Sequence, residues 1–150
     1  MPAEPGGAPG AGTIGGVDHI ALPLEDTPAM VAFYRALGLD VTETPLLVQV
    51  HLGSQMINFH RPELLLVGFK LRASAATPPC GDICIVWEGS AEALHTLLDD
   101  AGAEIIEGPV EREGGRRTTG SSVYVRDPDG NLLEFLAYPD SGTPTPRDTP

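Results

Sequence analysis

The chain has 150 residues, with 21 acidic side chains against 9 basic ones and a formal net charge of −12. That length suits one domain, and a hydrophobic fraction of 41% is enough for a packed interior, which excludes global disorder. The acidic balance argues against nucleic acid and against anionic membrane surfaces as partners, since both call for clustered Lys and Arg. No apolar run approaches the roughly 20 residues that span a bilayer. The opening MPAEPGGAPG has neither the basic nor the apolar region of a secretory signal, so a cytoplasmic location is expected. Two cysteines, Cys80 and Cys84, make neither a disulfide framework nor a four-thiolate zinc site.

In chain order, residues 1–16 hold nine Gly and Pro and read as a flexible tail. VDHIAL, at Val17–Leu22, reads as a strand. A helix follows from Asp26 to Leu37, with Asp26 as its cap, Pro28 tolerated in the first turn and Gly38 as its stop. Its apolar stripe is Met30, Phe33, Tyr34 and Leu37, the spacing of a face that packs on something. Strands are expected at Leu39–Thr42, Leu46–Leu52 and Gln55–His60, and residues 62–80 then bridge to a second half. That half repeats the first at an offset of 64 residues. Asp82–Trp87 is its strand, Ser90 its cap, Leu94, Leu97, Leu98 and Ala101 its stripe, and Gly102 its stop. Strands at Ala103–Glu107, Ser121–Arg126 and Asn131–Leu136 complete it, the last two joined by the type I turn Asp127-Pro128-Asp129-Gly130. Residues 139–150 form a second Pro/Gly-rich tail.

The expected architecture is therefore α+β: one domain over residues 17–138, built from two β-α-β-β-β modules (17–61 and 81–138). Strand alternation assigns Ile20, Leu22, Ile57, Phe59, Ile83, Ile85, Val123, Val125, Leu133 and Phe135 to the faces that meet the helices. The opposite faces carry His19, Asn58, His60, Asp82, Cys84, Tyr124, Arg126 and Glu134. If the half-sheets curl toward each other, those polar faces line a cavity.

VDHIAL followed by FYRALGLDV, then VYVRDPDGNLLEF, resembles the vicinal oxygen chelate superfamily of glyoxalases, extradiol dioxygenases and bleomycin resistance proteins. The resemblance covers roughly residues 17–138 and implies paired half-barrels around a cavity. It further implies a divalent metal (Mn, Fe, Ni, Co, Zn or Mg), held by residues of the first and fourth strands of each half. His19 matches the first-strand histidine and Glu134 the last-strand glutamate. Asp82 stands where many members have a second histidine, and Asn58 where some have Glu or Gln. The expected metal ligands are thus His19, Asp82 and Glu134, with Asn58, Tyr124 and Arg126 around them and Glu134 able to move a proton. His60 shares the parity of Asn58 and is a replacement ligand, a general base or a rim residue.

The implied activity is that of an isomerase, lyase or dioxygenase acting on a small oxygen-rich substrate, in a homodimer whose site lies within one chain or between two. The alternative is a non-catalytic protein that sequesters a small toxic molecule of the antibiotic type. His51 and His95 read as exposed residues, and Cys84 as a small apolar group. Arg116 and Arg117 sit in a Gly-rich loop that is either solvated or able to close over an anionic substrate.

Overall fold

The computed structural model describes residues 10–139. Most of both expected tails lies outside these residues, and residues 10–16 are exposed. The first module comprises β1 (His19–Pro23), α1 (Thr27–Ala36), β2 (Asp40–Glu43), β3 (Leu47–Leu52) and β4 (Gln55–His60). A short helix α2 (Pro62–Leu66) lies in the bridge. The second module comprises β5 (Asp82–Val86), α3 (Ala91–Asp100), β6 (Glu107–Glu113), β7 (Thr119–Arg126) and β8 (Leu132–Ala137). Strands run in the order β1-β4-β3-β2 in the N-terminal sheet and β5-β8-β7-β6 in the C-terminal sheet. In each sheet the first strand pairs parallel to the last. The internal repeat is thus present strand for strand. Among the described residues no helix is long and apolar enough to cross a membrane.

Local chemistry sets the helices. The Asp26 side chain accepts from the Ala29 amide at 3.1 Å and Ser90 Oγ accepts from the Ala93 amide at 3.0 Å, so each satisfies one donor that a helix start leaves unpaired. The expected stripes are the buried ones: Met30, Phe33 and Tyr34 on α1, and Leu94 and Leu98 on α3. They join Val48, Val50, Ile57 and Phe59 of the first sheet and Val123, Val125, Leu133 and Phe135 of the second in a single buried cluster. Ile83 and Ile85 are only partly buried and Ile20 is 39% exposed. The cause is position. β1 and β5 are edge strands, so their apolar side chains are covered from one flank only.

One strand departs from expectation. The sixth lies at Glu107–Glu113 rather than Ala103–Glu107. Ala103 and Ile105 do pack on the core, but as irregular chain. The strand proper, EGPVERE, has little apolar alternation to announce it and contains Pro109. An edge strand with a bulge between Glu107 and Val110 tolerates that proline.

A buried carboxylate ties the modules together. Asp127, 4% exposed, accepts from the Tyr34 hydroxyl at 2.7 Å and from Asn131 Nδ2 at 2.8 Å through Oδ2, and from the Gly130 and Asn131 amides through Oδ1. Burial first, and the Asp127 charge second, raise the Tyr34 hydroxyl above its ordinary range and keep it a donor. Two residues on, the Asp129 carboxylate accepts from the Glu25 and Asp26 amides at 2.8 and 2.9 Å. The β7–β8 turn is thereby fastened to the start of α1.

Tyr34→Phe keeps the ring in its packing and removes one hydrogen bond to a buried charge, a loss of about 1.5–3 kcal/mol. We expect a lower urea midpoint at unchanged slope; an unchanged midpoint would show that the latch is not stabilising.

Candidate functional site

Both sheets turn their apolar faces into one core, which leaves their polar faces outside it. On the N-terminal face, His19 stands opposite Met56, and Asn58 lies between Ala21 and Gln49. His19 is 45% exposed, with Nδ1 2.7 Å from Asp18 Oδ1. With its proton on Nδ1, that contact leaves Nε2 as a lone-pair donor facing out. Asn58 Oδ1 is buried and has no hydrogen-bond partner. His60 pairs with Pro23, four residues along β4 from the His19 row, about 13 Å away at ~3.3 Å per residue. That separation removes His60 as a replacement ligand beside His19. Its ring meets Phe69 edge-on at 5.4 Å, and burial, then Arg72, lowers its pKa, so it stays neutral at pH 7.

On the C-terminal face, Glu134 of β8 sits between Cys84 of β5 and Tyr124 of β7. Ser122, fully buried, donates its hydroxyl to Glu134 Oε2 at 2.6 Å. Tyr124 lies along the sheet, and its hydroxyl accepts from Arg112 Nε at 3.0 Å. Arg126 donates to the Gly130 carbonyl at 3.0 Å. Burial first, and the Glu134 charge next, push the Cys84 thiol up to about 11, so it is a protonated, unreactive group here.

Two hollows open on this face and share Glu134. One of about 440 Å³ is lined by Asp82, Tyr124, Arg112 and Arg126, the other of about 480 Å³ by Cys84, Val86, Leu136 and Arg116. No residue of the N-terminal sheet lines either. A further hollow of about 830 Å³ lies at the start of α1. Its arginines are already matched there, Arg35 to Glu43 and Arg61 to Glu43 and Glu63, so it presents no unpaired cation.

The sequence-derived site residues thus separate into two sets. Asp82, Tyr124, Arg126 and Glu134 gather on the C-terminal face, and His19 and Asn58 on the N-terminal one. Neither of the two hollows joins them, and among the described residues no three His, Cys, Asp or Glu side chains converge as a metal site. The sequence reading missed Ser122, although it shares the parity of Tyr124, and missed Arg112 because the sixth strand was expected elsewhere.

A model of the Glyoxalase/Bleomycin resistance protein/Dioxygenase superfamily matches residues 16–135. The chain is 36% identical over 126 residues to virulence protein STM3117 of Salmonella typhimurium, covering 81% of this chain and 83% of that one. The crystal structure of that protein superposes with a TM-score of 0.74 at 33% identity, covering 85% of this chain and 99% of the other. A glyoxalase domain-containing protein, RDO1 of Mycosarcoma maydis, is 32% identical over 126 residues, covering 83% and 69% of the two chains. The fold alone is shared with TnmS3, an antibiotic binding protein of a Streptomyces species (TM-score 0.63, 16% identity, covering 86% of this chain and all of that one). Two β-α-β-β-β modules, the match along residues 16–135 and relatives of this identity and coverage lead to one conclusion: the chain belongs to the glyoxalase/bleomycin resistance/dioxygenase superfamily.

Proposed function

We propose that the chain is a metal-dependent isomerase, lyase or dioxygenase acting on a small oxygen-rich molecule, working as a homodimer. Each metal is held between the N-terminal face of one copy and the C-terminal face of the other. The observation that carries this reading is Glu134, a half-buried carboxylate on an otherwise apolar strand. Among the described residues none of the ion pairs reaches it. A carboxylate so placed is costly unless a cation compensates it.

The donors of one chain do not fit a complete site, but each face fits half of one. His19 offers Nε2 while Asp18 backs Nδ1, the pairing that orients metal-bound histidines, and the orphaned Asn58 Oδ1 lies on the same face. Glu134, with Asp82 in the same hollow, offers oxygen donors on the other. Nitrogen and oxygen donors without thiolate suit Mn, Fe, Ni, Co, Zn or Mg. When bound, such an ion supplies Lewis acidity that holds two neighbouring substrate oxygens and stabilises developing negative charge. The protein's own part is proton handling and orientation. Ser122 fixes Oε2 of Glu134, leaving Oε1 to take or return a proton, and Arg112 holds the Tyr124 hydroxyl beside it. Dimer formation is supported by Leu66, Val67 and Leu71, which are 85%, 67% and 85% exposed in the segment whose Phe69 touches His60. The alternative, a sequestering protein without turnover, is favoured by one observation: the hollow beside Glu134 is floored by apolar Val86 and Leu136.

Elemental analysis of protein purified without added metal tests the choice. We expect stoichiometric metal in the wild type, its loss in His19→Ala and Glu134→Ala, and weaker retention in Asn58→Ala. A metal-free wild type that still binds small molecules would leave the sequestering reading in its place. Subunit mixing tests the sharing. A mixed dimer of His19→Ala and Glu134→Ala copies carries one site with both residues intact, so mixing should restore metal to about half the sites of each mixed dimer. Absence of any recovery, with mixed dimers verified by mass, would mean that the site does not span two copies.

A further inference from the structure

The loop joining β6 to β7 carries an arginine that the metal reading leaves without a role. The turn is tight: Arg117 donates its amide to the Gly114 carbonyl at 2.9 Å, and Gly114 donates to the Thr118 carbonyl at 3.2 Å. Glycine is required at 114, because a Cβ there would collide with the Tyr138 hydroxyl. That close approach lets the loop sit on a ring that is only 7% exposed. Arg116 then lies with its guanidinium carbon 4.7 Å from the centre of the Tyr138 ring, while its backbone amide donates to the Tyr138 hydroxyl at 3.3 Å. The guanidinium is held over the ring as a cation–π contact. Stacking of this kind leaves the in-plane N–H edge for ligands.

That edge has no carboxylate within ion-pair distance among the described residues, in a chain where acidic side chains outnumber basic ones 21 to 9. It borders the hollow of about 480 Å³ that is also lined by apolar Val86 and Leu136, by the neutral Cys84 thiol and by the carboxylates of Glu113 and Glu134. The hollow therefore combines a guanidinium fork that no ion pair holds, an apolar lining and two carboxylates.

We propose that Arg116 anchors the anionic group of a small organic acid that lies along this hollow with a neutral hydroxyl or carbonyl oxygen toward Glu134. A planar guanidinium matches the paired oxygens of a carboxylate or a phosphonate. Where no cation is bound, a second negative charge beside Glu113 and Glu134 is disfavoured by repulsion, which sets the ligand as an acid at one end and neutral at the other. The inference rests on the reading of the Glu134 face as the working face, and names the substrate class that face takes.

Calorimetric titration of the full chain with mandelate, phenylphosphonate and the neutral mandelamide tests it. Mandelate and mandelamide differ in the charged group alone, and phenylphosphonate decides between carboxylate and phospho chemistry. We expect at least one anion to bind, with mandelamide weaker by at least about tenfold. Arg116→Gln should weaken the anion by roughly 10- to 100-fold, the scale of a lost charge-assisted hydrogen bond, and leave mandelamide unchanged. Arg116→Lys should recover part of the affinity, and Arg117→Gln should match the wild type. Failure of both anions to bind, or equal anion affinity in Arg116→Gln, overturns the proposal. Metal content read on the same samples separates the two readings. Anion affinity lost in Arg116→Gln with metal unchanged supports the anchor. A metal-free wild type that still binds mandelate through Arg116 also supports it, while ending the metalloenzyme reading.

Discussion

Much of this structure depends on the satisfied burial of one carboxylate. Asp127 has lost its water and gained four donors: Tyr34 from the first module, and the Gly130 amide, the Asn131 amide and the Asn131 side chain from its own turn. A buried charge with any of these missing is expensive, so the arrangement is specified closely. Asn131 extends it, because its Oδ1 accepts from the Gly81 amide at 2.8 Å at the entrance to β5. A single turn therefore fixes α1, the start of β5 and the start of β8 relative to one another. Glu134 follows three residues later.

The same latch decides where chemistry can occur. Tyr34 reaches Asp127 because α1 packs against the β7–β8 turn of the second module, and its stripe, that of α3 and both apolar sheet faces fuse into one core. The polar faces are left outside that core. Each carries a partial set of groups: an orphaned Asn58 oxygen and an oriented His19 on one, and on the other a Glu134 that Ser122 holds but no ion pair reaches among the described residues. A fold that spends its apolar surface inside the chain leaves its polar surface to a second copy or to a ligand.

On the C-terminal face, polar groups are organised by aromatic rings rather than by opposite charges. Tyr124 holds Arg112 through its hydroxyl and Tyr138 holds Arg116 through its face, so both arginines are positioned without a carboxylate. Glycines at 114 and 120 make this possible. A Cβ at Gly120 would stand 2.6 Å from the Ala137 carbonyl, and one at Gly114 would displace Tyr138. The chain's excess of acid makes such unmatched guanidinium groups conspicuous, and it sets the kind of ligand they select.

The sequence by itself determined the repeat, both helices with their caps and buried stripes, seven of the eight strands and the Asp-Pro-Asp-Gly turn. These are written in local periodicity and in turn chemistry that acts over a few residues. It also placed Glu134, Tyr124 and His19 on polar faces, since alternation alone fixes which side of a strand a residue occupies. The tertiary structure alone decided the rest. β6 was illegible because an edge strand needs no apolar alternation and can carry Pro109. Arg112 was lost with it. The hydrogen bond from Ser122 to Glu134 joins neighbouring strands, and strand register is not a property of either segment. Above all, periodicity reports that a face is buried but not what buries it. His19 and Glu134 therefore read as neighbours across one cavity, whereas neither hollow beside Glu134 in the folded chain includes His19.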